Sequence, residues 1–329
     1  MKIFLTCPSF VPHGGIRIIL EWANRLSRLG HKIVLYNHSP HIKTPRWFTL
    51  DKEITITSIY HKMSDCDCLI ITSPHTIDFQ DISCTPRKVF LFMQMMEDLF
   101  RPRDRQWKKQ CMDFYLSPHP MFSISEWNIN SIMGLGRRAP TYYIGNGVNL
   151  DDFPIENPIK DGKTILVEGW VPGNPSKDHN RIAPKVARKL KSQGYYILAY
   201  SQLSLDPEYA DAVDEYYRLP KLSKMNDLYR RASILIKASV CDARACAPME
   251  AMTKGTVTVR AIENGDDDLI HGYNAVRCNY NESSLYRSCK GILQNRELLA
   301  ELSLNCLQYV QEFDWKYWMK QIEEKLCVD

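Results

Sequence analysis

Residues 233 to 270 read SILIKASVCDARACAPMEAMTKGTVTVRAIENGDDDLI. The apolar run Ile234 to Ala238 predicts a buried parallel strand. A short turn carries Asp242, and Ala247 to Lys254 predicts a helix stopped by Gly255. Thr256 to Ala261 follows at once as a second strand. This is a βαβ unit, and such units bind ligands at the carboxyl ends of their strands. Asp242 stands before the helix and Glu250 inside it, with seven residues between them. Acids at a helix start commonly cap free N–H groups, which suits Asp242. Glu250 sits between Met249 and Ala251 on a helix that packs on a sheet, so its carboxylate needs a partner. Sugar or ribose hydroxyls would serve.

With these residues in view, the stretch resembles the nucleotide-sugar glycosyltransferases of the GT-B fold, and among them the retaining family 4. That family carries an acid, seven residues, Glu-Ala-Met, a Gly and a short β-branched strand. Asp242, Glu250-Ala251-Met252, Gly255 and Val257 to Val259 match, with Asp242 standing where the family usually has Glu. Asp268 matches the acid of the next loop and Asn264 replaces its first Gly, while His271-Gly272-Tyr273-Asn274-Ala275 also fits. The resemblance implies two Rossmann-like α/β domains with parallel sheets facing across a cleft. A C-terminal helix would cross back to the first domain.

The composition agrees with such a chain. At 329 residues it exceeds one typical domain, and 44% hydrophobic residues is ordinary for a globular protein. A net charge of +4 suits an anionic ligand or a lipid surface and is far from the signature of a nucleic-acid binder. No apolar run approaches the ~20 residues that span a bilayer. Met1 to Leu5 is too short, and too soon broken by Pro8, for a signal peptide. The eleven cysteines then read as free thiols of a reducing compartment. The expected place is the cytoplasm, or the periphery of a membrane at its cytosolic face. Cys66-Asp67-Cys68 lacks a second pair at zinc spacing, so no metal site is expected.

From the start of the chain, Lys2 to Leu5 predicts a strand, and Gly14-Gly15 opens a helix that runs to Leu29. Lys32 to Tyr36 is the next strand. Without side chains, amides at Gly14 and Gly15 could approach an anion, and a plain tight turn is the other reading. Strands follow at Ile54 to Ile59, Cys68 to Thr72, Lys88 to Met93 and Phe114 to Ser117, then a helix at Ser125 to Met133. Ser73-Pro74-His75 and Gln94 to Glu97 lie at carboxyl ends, making His75, Gln94 and Glu97 candidate catalytic residues, with a satisfied structural histidine as the other reading of His75. Many family 4 enzymes have His near Gln94; the Gln with Glu97 three residues on resembles a subset that includes rhamnosyltransferases. Residues 101 to 109, RPRDRQWKK, form a basic cluster. It reads either as a solvated helix face or as a contact for an anionic acceptor or membrane surface. Asn146-Gly147-Val148-Asn149 and Phe153 match the stretch that closes the family's first domain.

The expected organisation is a first domain at 1–153, a linker at 154–163, a nucleotide-sugar domain at 164–312 and a returning helix at 313–329. In the second domain Thr164 to Gly169 and Tyr195 to Ser201 predict strands, and Leu222 to Ala232 and Glu282 to Gln311 helices. The resemblance assigns Lys177 to the donor diphosphate. The family's Arg just after the strand Thr164 to Gly169 is Trp170 here, which leaves Arg17 or Arg244 to supply that cation. It also places Asp242 on the donor sugar, Glu250 on the ribose, Ala245 and Cys246 beside them, and the nucleotide base near Arg218 and Leu219. The implied reaction moves a sugar, with retention of configuration, from a UDP- or GDP-sugar to a hydroxyl of a glycan, glycolipid or glycoprotein. No further cofactor, metal or obligate protein partner is expected. A sugar-nucleotide epimerase, a polymerising enzyme of glycogen-synthase type and a catalytically silent nucleotide-sugar binder share the fold and stay open as alternatives.

Overall fold

The computed structural model describes residues 1–39, 41–58, 66–76, 86–169, 177–178 and 180–327. The chain divides into two compact units, Met1–Asn146 with Lys316–Asp329, and Gly147–Trp315. Trp170 and His179 lie outside the described residues, as does Ile59 at the end of one expected strand.

The first unit holds β1 (Lys2–Cys7), α1 (Gly14–Arg28), β2 (Lys32–Asn37), β3 (Thr55–Thr57), β4 (Cys68–Ile71), β5 (Lys88–Met93), α2 (Arg105–Tyr115), β6 (Met121–Ser123), α3 (Glu126–Gly134) and β7 (Thr141–Tyr143). Its seven-stranded sheet runs β3-β2-β1-β4-β5-β6-β7 with every pair parallel. Parallel strands are covered on both faces, which is why their sequences are continuously apolar; Ile3, Phe4, Leu5, Leu69 and Ile70 are fully buried. From α1, Trp22 stacks on Phe92 at 4.2 Å between ring centroids. The strand expected at Phe114 to Ser117 is instead the end of α2. Asp104 caps that helix by accepting from Trp107 N at 2.9 Å, and Trp107, Cys111, Phe114 and Tyr115 bury at helical spacing. The strand of that region is β6.

Arg137, almost fully buried, holds the turn between α3 and β7. Its guanidinium donates to the carbonyls of Tyr115, Ser117 and His119 and to the hydroxyl of Thr141, at 2.6 to 3.0 Å. Residues from Lys316 onward belong to this unit; Lys88 Nζ donates to Leu326 O at 3.2 Å and His31 pairs with Glu323 at 3.3 Å.

The second unit holds β8 (Thr164–Glu168), α4 (Ile182–Lys191), β9 (Tyr196–Ser201), β10 (Glu215–Arg218), α5 (Leu222–Arg231), β11 (Ile234–Ala238), β12 (Cys241–Asp242), α6 (Cys246–Met252), β13 (Val257–Ala261), β14 (Asn264–Gly265), β15 (Ala275–Cys278), α7 (Glu282–Gln294), α8 (Arg296–Gln311) and the start of α9 (Trp315–Cys327). Its six-stranded sheet runs β10-β9-β8-β11-β13-β15, again parallel, and β12 pairs with β14 beside it. β10 and β15 fall in segments where no strand is expected from sequence, and the helix expected from Glu282 to Gln311 breaks at Asn295, which caps α8. Gly255 ends α6 at φ +61°, where an added Cβ would also strike Ser303 Oγ. Residues 154–163 are tied into this unit. Glu156 N donates to Thr253 O at 2.8 Å, and Lys160 Nζ reaches Ala232 O at 2.8 Å and Thr256 Oγ1 at 2.9 Å.

Strand order reverses between β1 and β4 in the first sheet and between β8 and β11 in the second. In open parallel sheets that reversal opens a crevice at the carboxyl ends of the strands. Among the described residues no helix is long and apolar enough to cross a membrane.

Replacing Arg137 by Ala strands several buried carbonyls that each lose a charged donor. Urea unfolding should show a loss of at least about 3 kcal/mol, since charged hydrogen bonds contribute roughly 1.5–3 kcal/mol each.

Candidate active site

One rung of the second sheet is polar. In register across the carboxyl edge stand Tyr217, Tyr200, Glu168, Lys237, Arg260 and Arg277, where the rungs beneath are largely apolar. Glu168 and Lys237 flank the reversal point and pair at 2.5 Å. Lys237 Nζ also lies 3.8 Å from Asp242 Oδ2, Lys177 Nζ 2.9 Å from it and Arg260 3.4 Å. Arg260, with no exposed side-chain surface, also pairs with Asp266. Three acids and three cations therefore close on one another. Burial alone would raise the Asp242 carboxyl, but Lys177, Lys237 and Arg260 outweigh it and hold the group well below the usual carboxylate range.

The loop after β13 completes this arrangement. Gly265 and Asp266 take left-handed φ of 94° and 50°, and Asp266 N donates to the carbonyls of Asp242 and Ala243 at 2.9 and 3.0 Å. This turn aims Asp266 at Arg260 and lets its other oxygen accept from Ala245 N, 3.1 Å away, at the start of α6. The DDD run is thus structural at Asp266, and Asp268 pairs with Arg244 at 2.9 Å. Arg244 is buried, its guanidinium 4.4 Å from the Phe313 ring centroid. Cys246 follows Ala245 as the first residue of α6.

Glu250 is 8% exposed and accepts from the Tyr229 hydroxyl at 3.0 Å. Tyr229 on α5 in turn lies 3.5 Å from the Tyr200 hydroxyl of the polar rung. Arg218 and Leu219 stand exposed at the end of β10, and Leu219 takes φ 45°. Lys177, Asp242 and Glu250 thus lie around one strand-end region, whereas Arg244 is spent on Asp268 and Phe313. The sequence reading passed over Lys237, Arg260, Glu168 and Tyr229. The signal was present, because a Lys inside ILIKA and an Arg inside VTVRA are costly within buried strands unless paired.

In the first unit, the candidates collect at the other reversal point. Gly15 N is capped by His13 Nδ1 at 3.2 Å, and Arg17 N donates to His13 O at 2.9 Å, so His13, unmarked by the sequence reading, takes this helix start. Gly14 is exposed and the Arg17 side chain half-buried. Gln94 Nε2 donates to Gly15 O at 3.1 Å; a Cβ on Gly15 would sit 3.2 Å from Gln94 Oε1, which keeps that position small. Ser73, buried, donates to Glu97 Oε2 at 2.8 Å and lies 3.0 Å from His75 Nδ1. Burial raises the Glu97 carboxyl to about 8, opposed in part by the Ser73 hydroxyl. Loss of water around the ring, with His38 and Arg101 nearby, lowers His75 to about 4. Among the described residues no three His, Cys, Asp or Glu side chains are grouped to hold a metal ion.

No family model matches the sequence, and no curated protein matches it. Solved structures do. Sucrose-phosphate synthase from Thermosynechococcus elongatus superposes with a TM-score of 0.82 at 13% identity, covering 98% of each chain. HepE from Anabaena, in complex with UDP-glucose, gives 0.75 at 14% identity over 99% of each. WaaG, a glycosyltransferase involved in lipopolysaccharide biosynthesis, gives 0.69 at 10% identity over 99% of this chain and 100% of that one. These likenesses establish the fold: two Rossmann-like units of the GT-B type.

Asp242→Ala would leave three cations facing two acids. The folded carboxyl titrates below the unfolded value of about 4, so its contribution is present above that pH and disappears as pH falls through the folded value. Chemical melts should show the variant less stable by roughly 3–5 kcal/mol at pH 7, the cost of breaking a buried ion pair. The gap should narrow steadily below about pH 4.

Proposed function

We propose that this chain is a glycosyltransferase that moves a sugar from a UDP-linked donor to an acceptor hydroxyl of a glycan or glycolipid. The observation that carries the reading is the polar rung of Glu168, Lys237 and Arg260 at the reversal point of the second sheet, joined there by Lys177 and Asp242. The fold is that of enzymes of this class, and UDP-glucose in the HepE complex favours UDP over GDP.

In this reading the second unit holds the donor. Lys177, at 24% side-chain exposure the most accessible of the three cations, meets the diphosphate, with Lys237 and Arg260 behind it. As the bond between the anomeric carbon and the diphosphate oxygen breaks, negative charge grows on the leaving group. Fixed cations in a partly dry site stabilise that charge more than water would. Asp242, freed in part from Lys177 by the phosphates, accepts from sugar hydroxyls. Glu250, oriented by Tyr229, accepts from the ribose, Ala245 and Cys246 line the approach, and Arg218 and Leu219 border the base. Within the first unit, Arg17 and the Gly14-Gly15 amides are proposed contacts for an anion. Arg244, tied to Asp268, steadies the loop rather than the phosphate.

The first unit receives the acceptor through His75, Gln94 and Glu97. Arg101, Arg103, Arg105, Lys108 and Lys109 are all exposed in the neighbouring stretch, and the Arg101 guanidinium lies 5.3 Å from the Trp107 ring centroid. That surface suits an acceptor with acidic groups, or one presented at the cytosolic face of a membrane. Retention of configuration and independence of metal belong to the same proposal, with the charge on the leaving diphosphate met by side chains. An epimerase would return an altered nucleotide sugar, and a silent binder would return the donor unchanged. Chromatography of products from a labelled donor separates these outcomes.

Glu250→Ala should weaken UDP-sugar binding by roughly 1–3 kcal/mol in calorimetry, the worth of a charged hydrogen bond. An affinity equal to wild type in a folded variant would remove Glu250 from the site. Turnover should persist in EDTA; complete loss restored by Mg²⁺ or Mn²⁺ would contradict the metal-independent reading.

A further inference from the structure

At the reversal point of the first sheet, Ser73 bridges a histidine and a carboxylate. The Ser73 hydroxyl has one hydrogen, and it is directed at Glu97 Oε2, 2.8 Å away. Its oxygen therefore faces His75 Nδ1, 3.0 Å off, as an acceptor. That places the imidazole hydrogen on Nδ1 and leaves Nε2 with a lone pair. His75 is exposed, and among the described residues Nε2 has no hydrogen-bond partner.

The bridge is held from several sides. Thr76 returns to Ser73 O through both its N, at 3.1 Å, and its Oγ1, at 2.8 Å. Thr6 Oγ1 accepts from Thr72 N at 2.9 Å and bonds Thr76 Oγ1 at 2.9 Å, fixing the turn to β1. Trp107 donates to Glu97 O at 2.9 Å while its ring lies 5.5 Å from the His75 ring, and His38 packs edge-on from the other element at 5.8 Å.

We propose that Ser73 is a positioning residue that joins His75 and Glu97 into a proton relay, through which the acceptor hydroxyl gives up its proton. The inference rests on the transferase reading for the identity of the proton donor. The steps balance. The acceptor oxygen forms its bond to the anomeric carbon, and the electron pair of the broken bond leaves with the nucleoside diphosphate. The acceptor proton passes to His75 Nε2, the Nδ1 hydrogen to Ser73 Oγ, and the Ser73 hydrogen to Glu97, which becomes a neutral acid. His75 and Ser73 end with the proton count they began with.

The surroundings favour this direction. Burial raises Glu97 to about 8, while the packing of part of the ring on Trp107 and His38, with Arg101 nearby, lowers His75 to about 4, so the proton rests on the carboxyl and not on the ring. Among the described residues, the titratable and charged groups around the relay are His38 after β2, Asp98 and Arg101 in and after the turn that Glu97 begins, and Cys111 and Tyr115 on α2. Asp98 is held by the Tyr115 hydroxyl at 3.0 Å. A relay ending on Glu97 requires its carboxylate, so turnover must rise with pH through about 8. His75 acting alone as base would place that rise near 4.

The test uses the full chain, with UDP release from a UDP-sugar as the assay and imidazole ¹⁵N shifts as a readout that needs no turnover. Ser73→Ala should lower kcat by roughly 10²-fold, the scale of general-base catalysis, with donor KM within about twofold. Ser73→Thr should restore most of the rate. Glu97→Gln should abolish the limb near 8 in kcat/KM. In wild type, the His75 Nδ1 resonance should show a bonded hydrogen at pH 7 and shift as Glu97 titrates. Wild-type kcat in Ser73→Ala, or a limb that survives Glu97→Gln, would overturn the relay. If wild type turns over no UDP-sugar, the transferase reading falls, and the His75 shifts decide the relay alone: no response to Glu97 titration ends it.

Discussion

The second unit depends on charge balance along one rung of its sheet. Glu168, Asp242 and Asp266 face Lys177, Lys237 and Arg260 at the carboxyl edge, with Arg260 devoid of exposed side-chain surface. Buried ion pairs seldom stabilise a fold beyond what apolar side chains of the same volume would give, yet breaking one is expensive. Strands that are otherwise apolar therefore carry a costly set of side chains at the one level where the strand order reverses. Such a concentration of buried charge in a crevice supports the proposed anion site. Each surrounding element is bent to it. The left-handed backbone at Gly265 and Asp266 aims a carboxylate at Arg260, and the start of α6 shares that carboxylate.

The first unit solves the same geometric problem with neutral groups. At its reversal point the threonines Thr6, Thr72 and Thr76 tie β1 to the turn after β4, and that turn presents Ser73 and His75. The contrast matches the division of labour proposed for the two units. A diphosphate needs fixed positive charge, whereas a hydroxyl surrendering a proton needs an acceptor with a raised pKa. Glu97, raised by burial to about 8, has that character.

Much of this was legible in the sequence, for identifiable reasons. Continuous apolar runs predicted most strands of both sheets, because a parallel strand hides both faces. The helix around Glu250 followed from the same pattern, whereas the turn expected at Asp242 is the short strand β12, paired with β14. The run at Phe114 misled because four apolar-rich residues fit a strand or a helix end equally well, and only the Asp104 cap decides for the helix. β10 and β15, half-buried edge strands with polar residues, gave too weak a period. Lys237 and Arg260 were hidden by the rule that found their strands, since apolar context was read and the charge within it was not. Ser73 was noticed only as the neighbour of His75, and Tyr229 only as part of the helix Leu222 to Ala232. Both act through partners far off in sequence, which no local window contains.

Calorimetric titration of UDP into the wild-type chain and into Lys177→Ala most directly tests whether the charged rung seats a nucleoside diphosphate. The account predicts saturable binding by wild type, weakening with added salt as exposed charges are screened, and at least a tenfold loss in the variant, about 1.4 kcal/mol. An absence of saturable binding for UDP, and for GDP, ADP and dTDP in turn, would contradict it, as would equal affinity in the two proteins.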